Sequence, residues 1–240
     1  MTDQPYQTPQ SDVQPETRPG GSYGSVENAL AGNYEIQIGD VVKESWERIK
    51  GFKGSALAAI LLIYGVAFAG GFLIGMLLPG EGLVSIIAQI AITLILIPME
   101  MGLVMMGIRR STDQSYSFSM IFNYFGYFIP ITLCVALMYI LIVIGLVLLI
   151  IPGIYLAFAY CFAMPLVVEK NMGVWEALET SRKAVSKKWF SIFGLWIVII
   201  LLVLASAIPL GIGLFWTLPM VIVAYAIVYR DIFGIEPIQG

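Results

Sequence analysis

Between about residue 55 and residue 229 the chain alternates long apolar runs with short polar stretches, and the runs have membrane length. The stretch from Phe128 to Val168 holds no Asp, Glu, Lys or Arg. As one helix it would measure roughly 60 Å at ~1.5 Å per residue, twice the ~30 Å hydrocarbon core of a bilayer. It is therefore predicted to cross twice. The break is expected at Ile151-Pro152-Gly153, where Pro152 removes a helical hydrogen bond and Gly153 accepts the backbone angles of a tight turn. The same reading gives two spans before it, about 55–78 and 83–108, joined by Pro79-Gly80-Glu81-Gly82. Two more follow at about 190–208 and 214–229, with Pro209 to Gly213 between them. Spans three and four are set at about 128–150 and 153–168.

The polar stretches are patterned as well. Gly39 to Lys53 reads as a short amphipathic helix, N-capped by Asp40, with Val42, Trp46 and Ile49 on one face. Ser115 to Phe128 carries seven aromatic residues and no charge, which suits an interfacial helix. Gly173 to Phe190 places Val174, Leu178, Val185 and Trp189 on one face. Its acids come early and its bases late, the order that complements a helix dipole, and its basic end suits anionic lipid headgroups. The predicted fold is all-α: a polytopic membrane protein with six transmembrane helices as three hairpins, each preceded by a cytoplasmic interfacial helix.

Composition agrees. The 240 residues are 59% hydrophobic and 12% charged, with mean hydropathy +0.87, against about 25% charged in an average soluble domain. Every Lys and Arg lies in the N-terminal tail, before span one, between spans two and three or four and five, or after span six. The three opposite loops carry Glu81 alone. The positive-inside rule then puts both termini in the cytoplasm. Residues 1–33 hold hardly any large aliphatic side chains and are expected to be a disordered cytoplasmic tail, within which Pro5 to Pro9 offers a candidate docking peptide. Residues 34–235 form the membrane domain and 236–240 a short C-terminal tail.

Candidate chemistry is sparse. The chain has no histidine, which removes imidazole bases, the Ser-His-Asp arrangement and the commonest metal ligand. Cys134 and Cys161 sit in apolar runs and are read as packing residues. No metal, cofactor or catalytic residue is expected, and no nucleic-acid partner. Glu100 is the single charged residue within a span, roughly 13 Å inside the cytoplasmic boundary set by Arg109. It lies beside Pro98, which frees the carbonyl of Leu94. Two readings of Glu100 stand side by side: a proton-coupled or cationic-ligand site, and a neutral carboxyl bonded to a neighbouring helix. Tyr139, Tyr155, Tyr160 and Tyr225 are candidates to line a cavity with it or to anchor span ends. Pro98-Met99 precedes Arg109 as Pro219-Met220 precedes Arg230, eleven residues in each case, which suggests an internal repeat. Ala67, Gly71 and Gly75 form a small-residue ridge whose expected use is close packing within the chain.

The residues IPGIYLAFAYCFAMPLVVEK (151–170), WEALETSRK (175–183), KKWF (187–190), LGIGLFWTLPM (210–220) and AYAIVYRDIFG (224–234) resemble a family of uncharacterised bacterial inner-membrane proteins, the YciC-like domains. SYSFSMIFNYFGYF (115–128) fits the same family. These domains are related to the membrane domain fused to some glycerophosphodiester phosphodiesterases. The resemblance implies six helices in a bacterial inner membrane and carries over no activity and no catalytic residue. The expected function is that of a non-enzymatic envelope protein that binds membrane lipid or a partner membrane protein, itself or another. The alternative is a small transporter or channel with Glu100 as its site.

Overall fold

The computed structural model describes residues 23–78, 80 and 82–236. The expectations for residues 1–22, Pro79, Glu81 and 237–240 lie outside these residues. Ten α-helices are found among them: α1 (Val26–Ala31), α2 (Ile38–Arg48), α3 (Lys53–Leu77), α4 (Leu83–Ser111), α5 (Phe128–Leu148), α6 (Ile150–Ala159), α7 (Ala163–Glu169), α8 (Val174–Lys187), α9 (Trp189–Ala207) and α10 (Leu214–Phe233). Two 3-10 turns, Phe118–Phe122 and Phe125–Tyr127, precede α5. Six segments are long and apolar enough to cross a membrane: α3, α4, the turns with α5, α6 with α7, α9 and α10. Helix is the expected state of such runs, because it satisfies every backbone donor and acceptor within the segment.

The boundaries move in instructive ways. Residues 23–33, assigned from composition to a disordered tail, carry α1. The Ser25 hydroxyl accepts the Asn28 N–H at its start, and Gly32 closes it at φ 84°, the left-handed conformation glycine adopts readily. Helix α2 begins at Ile38, so Asp40 lies in its first turn and is not its cap. Its buried positions are Val41, Ser45 and the adjoining Ile49, whereas Trp46 is 49% exposed. The aromatic stretch before α5 forms the two 3-10 turns rather than an α-helix.

The break between α5 and α6 falls at Leu149, whose backbone is extended at φ −157°. Pro152 and Gly153 lie inside α6. Proline is tolerated in a first turn because its missing N–H has no helical acceptor there. Gly153 serves close approach: a Cβ on it would lie 2.6 Å from the Leu146 amide nitrogen, and its Cα is 3.0 Å from the position a Cβ of Gly145 would take. A second break at 160–162, which the sequence did not announce, divides α6 from α7. Ser181 of α8 bridges it, donating to the Ala159 carbonyl at 2.7 Å and accepting the Phe162 N–H at 3.2 Å. The Tyr225 hydroxyl takes the Cys161 carbonyl at 2.7 Å. Breaks of this kind survive in an apolar protein where neighbouring side chains satisfy the freed groups.

Burial concentrates at one end of the molecule. In α3 it falls mainly on Ala56, Ala59 and Ile63; in α4 it begins at Leu96 apart from Ser85; in α9 it stops at Ile199. These are the halves nearest the Lys and Arg residues. Helix α10 is the most enclosed candidate span and packs against α4 and α2. Gly107 of α4 admits it, since a Cβ there would lie 2.7 Å from Ile222. Around Phe162 gather Tyr225, Tyr229 and Phe233, with ring centroids 5.1 to 6.1 Å away.

Candidate functional site

The predicted kink residues Pro98 and Pro219 are buried within continuous helices α4 and α10. Glu100 is exposed on α4, although Leu96 to Met99 before it and Met101 to Leu103 after it are buried. It makes no hydrogen bond or ion pair among the described residues, so neither a hydroxyl partner nor a freed carbonyl holds it. Of the tyrosines considered beside it, Tyr155 bonds Ser186 and Tyr225 bonds the Cys161 carbonyl. The structure does not bring them together with Glu100 into one hydrogen-bonded group. Arg109 and Arg230, equivalent in the apparent repeat, also differ. Among the described residues the Arg109 side chain donates only to the Ser115 carbonyl, at 3.5 Å.

Arg230 centres a charged cluster at the enclosed end. Its Nη1 donates to Glu44 Oε1 and to the Ser111 carbonyl, both at 2.7 Å, its Nη2 to Glu44 Oε2 at 3.1 Å, and its Nε to Asp231 at 2.8 Å. The Tyr23 ring covers the guanidinium at 4.8 Å. Glu44 is shared with Arg48 at 2.6 Å, and Arg48 reaches Asp113 at 2.9 Å. Burial works to raise the Glu44 pKa, but the hydrogen bonds and charges of Arg230 and Arg48 outweigh it and hold the carboxyl below its usual value. The cluster ties α2, the end of α4 and the end of α10 together. Beside it opens a polar cavity of about 800 Å³, lined by Tyr23, Asn28, residues 32–35, Asp40 and Lys188 together with Glu44, Arg230 and Asp231. Because its cations and acids are largely paired with each other, the cluster reads as a fastening of the bundle.

A second cavity, of about 530 Å³, has a different character. Its walls are Leu30 of α1 and Arg182, Lys183, Ser186 and Lys187 of α8. Three of these five residues are cations. Glu179 offsets part of the charge, binding Arg182 at 2.7 Å and Lys183 at 3.3 Å. Those contacts, the Arg182 hydrogen bond first, hold the Glu179 pKa down at about 2, so the local charge is constant through the physiological range. Lys187 makes no ion pair among the described residues. Two residues on, α9 begins as a candidate span, and Phe190 at its start is 83% exposed. Among the described residues no group of three or more Cys, Asp or Glu is arranged to hold a metal. The sequence reading of a basic α8 end supplied the cations; the wall provided by Leu30 was hidden, because α1 was not foreseen. Comparison with protein-family models, curated proteins and solved structures gave no match to this chain.

Proposed function

We propose that this chain is a non-enzymatic, multi-pass membrane protein that binds anionic phospholipid in the basic cavity between α1 and α8. The observation that carries the reading is the position of that cavity: three cations and a hydroxyl open immediately before an apolar helix of 19 residues. A phosphate group held by Arg182, Lys183 and Lys187 would leave its acyl chains beside Phe190 and the outer face of α9. Basic residues at a membrane surface attract anionic headgroups by about 1 kcal/mol each.

In this reading the spans pair as three hairpins, and α2, the 3-10 turns and α8 lie at the headgroups. Support comes from rings left uncovered on each: Trp46, Phe118 with Phe122 and Phe125, and Trp175 are all exposed. Aromatic side chains of this kind favour the membrane interface. The distribution of Lys and Arg supports cytoplasmic termini, and the YciC-like resemblance supports the inner membrane of a bacterium.

The test is native mass spectrometry of the full chain released from vesicles containing phosphatidylglycerol and phosphatidylcholine. The wild type should retain phosphatidylglycerol preferentially. The double variant Lys183→Gln/Lys187→Gln should lose about 2 kcal/mol of that preference, a change of roughly thirtyfold. Equal retention of the two lipids by the wild type, or an unchanged preference in the variant, would refute the proposal.

A further inference from the structure

Before Arg109 and Arg110, helix α4 carries its polar side chains on one face. At ~100° per residue, Gln89, Thr93 and Glu100 fall within about 40° of each other, and Gly107 and Ser111 continue the line. At the lower end α10 covers this face: Gly107 packs on Ile222, and Ser111 receives Arg230. Lys53, at the foot of α3, lies 4.7 Å over the Trp216 ring of the same helix. Above that level Gln89, Thr93 and Glu100 are all exposed. The Thr93 hydroxyl bonds back to the Gln89 carbonyl, while the Gln89 and Glu100 side chains have no partner among the described residues.

The neighbouring face of α3 is open at the same height. Of the predicted ridge, Ala67 packs against the core but the two glycines do not: a Cβ on Gly71 or Gly75 would meet nothing within 4 Å, and it is Gly70 that abuts Ile92 of α4. Gly71 and Gly75 lie roughly 100° and 140° round α3 from that contact, and the polar residues about 60° to 100° round α4. A short link joins α3 to α4, so the two run in opposite directions. The rotations therefore have opposite sense and end on the same side of the pair. Gly71 and Gly75 thus flank Gln89 and Thr93.

We infer that this face, a glycine ridge beside a line of amide, hydroxyl and carboxyl groups, is the contact between two copies of the chain in the membrane. Polar groups in a spanning helix are costly against lipid and turn toward protein. Small residues beside them permit the close approach that hydrogen bonding across helices requires. A second copy fits because its Lys and Arg lie at the same end, so it inserts the same way round. A twofold axis along the membrane normal then sets each group against its own counterpart. Gln89 both donates and accepts, as does a protonated Glu100. Residues 55–78, 83–108, 128–168, 190–208 and 214–229 of a second copy hold no Lys or Arg, so the match is made by neutral hydrogen bonds.

Disulfide trapping in native membranes tests this. In a chain with Cys134 and Cys161 replaced by Ala, Thr93→Cys and Gly75→Cys should give a dimer-sized band under oxidation. The band should be at least tenfold stronger than that from Val143→Cys, a position on α5 that is also exposed. Adding Gly71→Leu, which the protomer has room for, should reduce the band to the Val143→Cys level with insertion unchanged. No band at Thr93→Cys, an equal band at Val143→Cys, indifference to Gly71→Leu, or a band of another protein's mass would overturn the inference. These variants leave the α8 cavity untouched, so lipid retention and dimer trapping succeed or fail separately.

Discussion

Ser181→Ala is the sharpest probe of how the broken helix is held. Ser181 is fully buried, and its hydroxyl serves both sides of the interruption at 160–162, as donor to the Ala159 carbonyl and acceptor from the Phe162 N–H. Alanine keeps the helix α8 and nearly the same volume while orphaning two backbone groups. A buried unsatisfied donor or acceptor costs about 1–3 kcal/mol. The amide has one hydrogen to place and bears the full cost; the carbonyl has a second lone pair and bears less. A net loss of about 2–4 kcal/mol follows, since removing the hydroxyl itself returns a little desolvation. The measurement is unfolding in mixed micelles by added denaturing detergent, followed by tryptophan fluorescence, with Ser55→Ala on α3 as the reference. Tyr225→Phe, which frees only the Cys161 carbonyl, should lose about 1 kcal/mol. If Ser181→Ala loses less than about 0.5 kcal/mol, the break is satisfied by other means and the account is wrong.

The other expectations concern glycine, lipid and assembly. Gly153→Ala should destabilise the same unfolding transition, because the added methyl meets the Leu146 backbone, whereas Gly65→Ala, with open space around it, should be neutral or gain up to about 1 kcal/mol from helix propensity. Lys183→Gln/Lys187→Gln should lose the anionic-lipid preference in native mass spectra, and Thr93→Cys should trap a dimer that Gly71→Leu abolishes.

The spans were legible because a membrane-length apolar run has few ways to satisfy its backbone, and its ends are marked by charge. Most observed limits therefore differ from the reading by only a few residues, as in Lys53–Leu77 against 55–78, while the third apolar segment starts ten residues early, at Phe118, because the 3-10 turns run into α5. Within the predicted tail, residues 26–31 form a helix that composition did not announce. Its local signals pointed the other way, with Ser25 and Asn28 at a helix start and Gly32 at its end. Gly32 also packs on the aliphatic stem of Lys187, a distant contact that composition cannot register. Pro152 drew the predicted break toward itself because proline is read as a stop, yet three residues into a helix it is harmless. The break at 160–162 left no local mark, since the groups that permit it, Ser181 and Tyr225, come from elsewhere in the chain. Glu100 was recognised as exceptional, but its direction depended on where α10 leaves α4. Glu44 and Arg230, 186 residues apart, share no sequence signal at all.

The repeat is the place where sequence symmetry and physical role separate, and it can be tested. Arg109 and Arg230 occupy matching positions after Pro98 and Pro219, but α10 is enclosed along its lower half, whereas Arg109 is only half-buried and donates a single long hydrogen bond among the described residues. Arg230, only 6% exposed, therefore needs its Glu44 partner, and Glu44 in turn needs a cation. Breaking a buried pair costs about 3–5 kcal/mol. Because Glu44 is 31% exposed and keeps Arg48, Arg230→Gln should lose close to the lower figure. Arg109→Gln should stay within about 0.5 kcal/mol of the wild type. The loss should also depend on pH. The Glu44 pKa lies below its unfolded value in the fold, so its contribution is present above the ordinary carboxylate pKa and is lost as pH falls through the folded one. The difference between wild type and Arg230→Gln should accordingly be widest near pH 7 and narrow on acidification below about pH 4, the ordinary glutamate range. Equal losses for the two arginines, or a difference for Arg230→Gln that does not change with pH, would mean that the pair contributes shape rather than charge.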